Sequence, residues 1–323
     1  MQNAPYHGDV AAGPKASAHW LTASDGVRIR IGHWPVEGTA PPKGTVLLFP
    51  GRTEYIEKYG RVAADFAARG FATLAIDWRG QGLADRLHAN AGLGHVLRFS
   101  DYQKDVAAVL AALPDLGVTG PLFLIGHSMG GAIGLRALHN DLPVQAAAFS
   151  APMWGIHITS YLRPIAWVAS TTLRGIGLGN LFAPGTSAPS YLTTAPFEDN
   201  TLTRDPAEYE AMRQQVTTHP ELSLGGPSML WLNEALREMR KLRALPAPDM
   251  PTLTLLGDNE RIVHSGNIHS LMARWPKGTL QVYPEAEHEI LMEVPSTRQD
   301  ALTRITTHFE TALTGTQSLE AAQ

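Results

Sequence analysis

Residues 122–135 read Leu122-Phe123-Leu124-Ile125-Gly126-His127-Ser128-Met129-Gly130-Gly131-Ala132-Ile133-Gly134-Leu135. A short unbroken apolar run enters Gly-x-Ser-x-Gly, and a run of small and apolar residues leaves it. The first half has the pattern of a strand buried on both faces, and the second that of a helix packed tightly against the strand. A serine on the sharp turn between them stands clear of the backbone, and the small residues two positions either side let strand and helix approach. The amides of the helix start add a positive end where negative charge would develop. This arrangement marks Ser128 as a candidate nucleophile.

Outward from this stretch, similar apolar runs recur. Thr45 to Phe49, Phe71 to Ile76 and Val144 to Phe149 alternate with helical patterns, including one with Tyr59, Val62, Ala63 and Phe66 on a face and another over Asp101 to Leu113. After Pro246 the same alternation returns, with strands at Thr252 to Leu256 and Leu280 to Tyr283 and helices at Ser265 to Trp275 and Ser296 to Leu313. Short buried strands separated by helices predict an α/β fold with a mostly parallel sheet covered on both sides. Two strands precede this block, Ala18 to Thr22 and Val27 to Trp34; the alternation of Val27, Ile29 and Ile31 with Arg28 and Arg30 gives the second the period of a half-exposed strand.

Between the two halves of the sheet pattern lies a different composition. From Leu142 to Phe197 the only charged residues are Arg163 and Arg174, where the chain's 17% charge would put roughly ten. Residues 198–245 are charged again and contain a helix opened by Gly225-Gly226-Pro227, with Leu232, Leu236, Met239 and Leu242 on one face. The resulting division is a flexible arm at 1–17, a core of 18–152 and 246–315, a mostly helical insertion at 153–245 and a tail at 316–323.

The 323 residues are 44% apolar and carry 26 Lys+Arg against 30 Asp+Glu. That composition supports a sizeable core and gives no basic excess to neutralise a nucleic-acid backbone. Without cysteine, disulfides, thiolate nucleophiles and Cys-based zinc sites are excluded. Neither a signal peptide nor a membrane-length apolar run is visible, so a cytoplasmic protein is expected.

A hydroxyl nucleophile needs a general base, and histidine is the usual choice. His288 follows the last predicted strand by five residues, at the carboxyl edge of the sheet, whereas His264, His269 and His308 fall on helices or helix starts. His288-Glu289-Ile290-Leu291-Met292 opens like a zinc-protease motif, but Met292 stands where the second histidine is required, so no metal is expected. The base in turn needs an orienting carboxylate. Gly257-Asp258-Asn259-Glu260 offers two, and their chemistry alone does not choose between them.

These residues resemble the α/β-hydrolase superfamily, in particular its monoacylglycerol lipase and bacterial lysophospholipase branch with the serine-aminopeptidase-like hydrolases. The resemblance runs from about Ala18 to Phe309 and rests on Pro50-Gly51-Arg52-Thr53-Glu54-Tyr55, Asp77-Trp78-Arg79-Gly80-Gln81-Gly82, Gly94-His95-Val96, the Ser128 elbow, Ala151-Pro152-Met153-Trp154, Gly225-Gly226-Pro227-Ser228 with Trp231, and His288-Glu289-Ile290-Leu291. It implies an α/β-hydrolase fold with an inserted helical cap and a Ser128–Glu260–His288 triad, with Asp258 the alternative acid. It also implies an oxyanion hole of the Arg52 and Met129 amides. Glu54, Trp154, Tyr161, Arg163 and Trp231 are candidate substrate-binding residues. The implied activity is cofactor-free hydrolysis of the acyl ester of a single-chain lipid, a lysophospholipid before a monoacylglycerol or a simple ester. A catalytically silent ligand-binding relative is the alternative from another class. No protein partner is required, and the cap would make any contact with the inner membrane face. Relatives on the monoacylglycerol side carry a small residue where this chain has Arg52, and a guanidinium suits phosphate; the competing reading turns Arg52 to solvent or pairs it with Glu54.

Overall fold

The computed structural model describes residues 1–38, 41–157 and 162–320. Among them, nine strands form one sheet: β1 (Gln2–Asn3), β2 (Ser17–Thr22), β3 (Arg28–Trp34), β4 (Gly44–Phe49), β5 (Phe71–Asp77), β6 (Leu122–His127), β7 (Ala146–Ser150), β8 (Thr252–Gly257) and β9 (Gly278–Tyr283). Their spatial order is β1-β2-β3-β5-β4-β6-β7-β8-β9. The first three are antiparallel and everything from β5 to β9 is parallel. The helices are α1 (Gly60–Ala67), α2 (Tyr102–Ala112), α3 (Met129–His139), α4 (Leu162–Gly175), α5 (Tyr191–Thr194), α6 (Pro206–Thr218), α7 (Met229–Ala244), α8 (Ser265–Met272) and α9 (Pro295–Glu320).

Successive residues of the central strands feed opposite cores, as the pleat requires. Leu47, Phe49 and Leu124 pack with α2, α3, α7 and α8 on one face, and Val46, Leu48, Phe123 and Ile125 with α1 and α9 on the other. Phe309 of α9 stacks on Phe123 at 4.5 Å between ring centroids, which locks the closing helix onto the middle of the sheet.

The β3 expectation needs correcting. From Ile29 onward the strand is buried throughout, because Arg30 is neutralised in place. Its guanidinium donates to both Glu57 oxygens at 2.7 Å and to Asp77 at 2.7 Å. Asp77 also accepts the amides of Ile56 and Leu83 at 2.8 Å. A charge alternating with isoleucines reads as solvent-facing, yet here it is a paired ion inside the domain.

The expected flexible arm is also laid down on the domain. Gln2 and Asn3 pair with Trp20 and His19, Tyr6 sits edge-on to Trp34 at 6.2 Å, and the Trp34 indole N–H donates to the Pro14 carbonyl at 2.9 Å. Satisfying the indole and sealing the edge of β2 both favour the ordered segment over a free one.

Between β7 and β8 the chain leaves the sheet for α4 to α7, returning with α7 packed on α3. All parallel strands therefore point their carboxyl ends toward one edge, where the loops after β4, β6, β8 and β9 meet. The conformation at that edge depends on a close approach at Gly130: a Cβ there would lie 1.9 Å from the Phe49 carbonyl oxygen, so no side chain fits between β4 and α3.

Candidate active site

Ser128 joins β6 to α3 with φ 49° and ψ −117°, a left-handed conformation that costs a non-glycine residue about 1–3 kcal/mol. Neighbouring backbone holds it there. Its N–H donates to the Ser150 carbonyl at 3.1 Å, and its carbonyl accepts the amides of Gly131 at 2.9 Å and Met153 at 2.8 Å. The Met129 amide is the first of α3 and lies outside that helix's own hydrogen-bond ladder.

His288 follows β9 and is buried. Its Nδ1 lies 2.7 Å from Glu260 Oε2, while Glu260 Oε1 accepts the amides of Ile262 at 2.6 Å and Val263 at 2.9 Å. Burial pushes the Glu260 carboxyl up, but the His288 charge and bond and the two amides outweigh it and hold the group below its usual value. An ionised Glu260 can only accept, so Nδ1 carries the proton of this bond, the arrangement that leaves Nε2 as the basic nitrogen of a neutral imidazole. Asp258, the competing carboxylate, is exposed. Of the two acids that the loop offered, Glu260 is the one on the imidazole. The His288 ring lies 4.8 Å from that of His127, the residue just before Ser128.

Two expected substrate-binding residues are placed elsewhere. Glu54 is buried, accepting the Gly51 amide, the Tyr59 hydroxyl at 2.5 Å and the Lys58 ammonium at 2.5 Å. A carboxylate with these partners anchors its own loop. Trp154 is fully buried, stacked on Trp275 at 5.9 Å with its indole N–H on the Gly131 carbonyl at 3.2 Å. It is core for the same reason the indole finds a partner there. Trp231 is also buried, bonded to the Tyr102 hydroxyl at 3.1 Å, and lies under the Arg52 guanidinium, 5.4 Å from ring centroid to guanidinium carbon. Tyr161 and the Arg163 side chain lie outside the described residues. Arg52 neither turns to solvent nor pairs with Glu54: Nη2 donates to the Gly225 carbonyl.

A buried charge cluster escaped the sequence reading. Lys58 Nζ stands 2.5 Å from Glu54 and 2.7 Å from Glu289. His127 Nδ1–H donates to the Ser150 carbonyl at 3.1 Å, and its Nε2 faces Glu289 at 3.3 Å and Glu54 at 3.5 Å. Burial would raise the Glu289 carboxyl, yet the His127 and Lys58 charges hold it well below the usual range. Burial opposes charge on His127, but Glu289 and Glu54 raise it all the same. Glu54, His127 and Glu289 converge closely enough to suggest a metal site; the Lys58 ammonium already stands between the two carboxylates and supplies the cation. The spacing Glu54 to Lys58 was the one local hint, since residues four apart meet on a helical turn.

The sheet order, the elbow and the carboxyl-edge loops define a member of the α/β-hydrolase class. The chain belongs to the family described as serine aminopeptidase, S33, whose profile matches residues 40–295. It is 33% identical over 275 residues to lysophospholipase L2 of Escherichia coli K12, covering 82% of this chain and 79% of that one. It is 27% identical over 292 residues to a probable lysophospholipase L2 of Haemophilus influenzae, covering 90% of each. Among solved structures, a soluble variant of the Saccharomyces cerevisiae monoglyceride lipase in complex with a substrate analog superposes with a TM-score of 0.73 at 22% identity, over 96% of this chain and 99% of that one.

Glu289→Gln tests the charge cluster. Removing one anion from a buried group of four should cost about 3 kcal/mol of stability at pH 7. Because the folded-state carboxyl is depressed, its stabilisation is present above the ordinary value of about 4.3 and is lost as pH falls through the folded value. Urea unfolding at several pH values should therefore show the gap between wild type and variant full at neutrality and narrowing below about pH 4. A gap constant with pH would mean that Glu289 acts through packing alone.

Proposed function

We propose that the chain hydrolyses the carboxylic ester of single-chain lipids through an acyl-enzyme on Ser128, with lysophospholipids the preferred class and monoacylglycerols second. The observation that carries this reading is the buried 2.7 Å pair of His288 and Glu260 beside the turn that holds Ser128. The relatives named lysophospholipase L2 supply the substrate class.

In this mechanism Ser128 Oγ attacks the ester carbonyl while its proton passes to His288 Nε2, and the carbonyl π electrons move onto oxygen. The Met129 and Arg52 amides donate to that oxyanion, each worth about 3 kcal/mol of barrier. Collapse expels the glycerol oxygen, which takes the proton from Nε2 and leaves the acyl group on Ser128. Water then attacks with His288 as base, and the fatty acid departs as serine regains its proton. Glu260 stays ionised throughout and stabilises the imidazolium.

Residues 153–245 act as a cap over this edge of the sheet. Val168, Ile176, Leu178, Leu181 and Tyr191, all in this insertion, are exposed large apolar side chains. Exposed apolar side chains on a charge-poor segment suit shallow contact with a lipid surface from which a single-chain substrate is taken. No helix among the described residues is long and apolar enough to cross a membrane, so the contact would be peripheral.

Ser128→Ala should lower kcat on a lysophospholipid by about ten-thousand-fold or more with unfolding unchanged; near-wild-type turnover in assays of the purified variant would overturn the nucleophile. Co-sedimentation with phospholipid vesicles tests the cap. Ile176→Ser with Leu181→Ser should weaken vesicle binding about tenfold, on the order of two small apolar burials. Equal binding would place the membrane contact elsewhere.

A further inference from the structure

The Arg52 guanidinium has no carboxylate partner among the described residues. It is held by hydrogen bonding to the Gly225 carbonyl and by the face of Trp231 at 5.4 Å, and its Nε is buried with no acceptor. Gly94 leaves it room, since a Cβ there would stand 2.8 Å from Nη2. Burial lowers the group to about 10, so it remains charged at neutral pH. Tyr102 is itself pushed up by burial and stays neutral there. Arg86, in contrast, spends its guanidinium on three carbonyls, of Gly80, Glu221 and Ser223. A cation held half-desolvated without an anion is costly unless a ligand brings one.

Its position specifies that anion. The Pro50-Gly51-Arg52 loop packs on the elbow: a Cβ at Gly51 would lie 3.1 Å from the His127 ring, and one at Gly130 would lie 2.6 Å from the Pro50 carbonyl oxygen. In the proposed mechanism the amide of Arg52 meets the ester carbonyl, so its guanidinium lies within the reach of one arginine side chain, roughly 7 Å at full extension. In a 1-acyl glycerophospholipid six bonds separate the ester carbonyl carbon from phosphorus, also roughly 7 Å when extended. A fatty-acid carboxylate would instead remain at Ser128, too close to use this group. We propose that Arg52 is the subsite for the head-group phosphate, fixed in place by Trp231 and the Gly225 carbonyl, and that it makes the enzyme discriminate lysophospholipids from monoacylglycerols.

This rests on the lysophospholipase reading, and the test separates the two. The first arm measures kcat/KM of the full chain on a lysophosphatidylethanolamine and a 1-monoacylglycerol of the same acyl chain, for wild type, Arg52→Met and Arg52→Lys. Any shared loss through the oxyanion hole cancels in the ratio of the two substrates. That ratio should fall by at least about 30-fold in Arg52→Met and recover in part in Arg52→Lys. A ratio unchanged within about threefold overturns the subsite. The second arm uses sn-glycerol 3-phosphate as an inhibitor of nitrophenyl butyrate hydrolysis, which needs no lipid. Competitive inhibition of wild type that weakens at least about tenfold in Arg52→Met supports the subsite even where wild type cleaves monoacylglycerol faster, an outcome that would sink only the lysophospholipase preference. Absence of inhibition in wild type, or equal inhibition of both proteins, overturns the subsite itself. If Arg52→Met does not fold, Arg52→Lys carries both arms with smaller changes in the same direction.

Discussion

A serine held at φ 49° between a strand and a helix is the constraint around which the rest of the molecule is arranged. That backbone conformation is unfavourable by itself, so the surroundings must over-determine it. They do so from three sides. Ser150 at the end of the neighbouring strand takes its amide, Gly131 and Met153 grip its carbonyl, and Gly130 lets the carbonyl of Phe49 come so close that no other residue could stand there. The sheet order follows from the same need, because a parallel sheet brings the carboxyl ends of β4, β6, β8 and β9 to one edge. Loops from those four strands carry the proposed oxyanion loop, the Ser128 turn, Glu260 and His288.

Loops alone do not hold reacting groups to within a few tenths of an ångström. Here charge does part of that work. Lys58 and Glu54 belong to the loop after β4, His127 to the end of β6 and Glu289 to the loop after β9, and their buried contacts join those three segments directly behind the Ser128 and His288 positions. Glu54 in addition fixes the Gly51 amide, so the same cluster orients the loop whose next amide is the proposed oxyanion donor. Such an arrangement is a weak source of net stability, since desolvation offsets most of the attraction, but each member is strongly committed once its partners are present. Arg30 with Glu57 and Asp77 serves the same end one layer down, fastening the start of the Tyr55–Tyr59 segment to the sheet.

The sequence made the sheet legible because its central strands are buried on both faces and therefore appear as unbroken apolar runs, and because Ser128 sits in a turn whose small neighbours have a steric reason to be there. The proposed triad is legible for a chemical reason: few histidines lie after the last strand, and the loop after β8 offers two carboxylates. The residues alone left Glu260 and Asp258 open and the family resemblance favoured Glu260; in the fold Glu260 lies on His288 and Asp258 is exposed. Glu54, Trp154 and Arg30 were misplaced for a common reason. Charged and large aromatic residues near a motif look available until the fold buries them: Arg30 and Trp154 meet partners 23 to 121 positions away in the chain, and Glu54 is closed off by Gly51, Lys58 and Tyr59 of its own loop. The docking of residues 2–14 was hidden likewise, since the edge of β2 and the indole of Trp34 that receive them leave no periodicity in the segment itself.

The proposed chemistry turns on one covalent event at Ser128, which can be captured directly. Incubation with a fluorophosphonate, followed by digestion and peptide mass spectrometry, should find one phosphonyl group per chain, on the peptide containing Ser128, with esterase activity lost in proportion to labelling. An unlabelled Ser128 in a protein that still cleaves esters, or stoichiometric labelling of a different residue, would contradict the central claim.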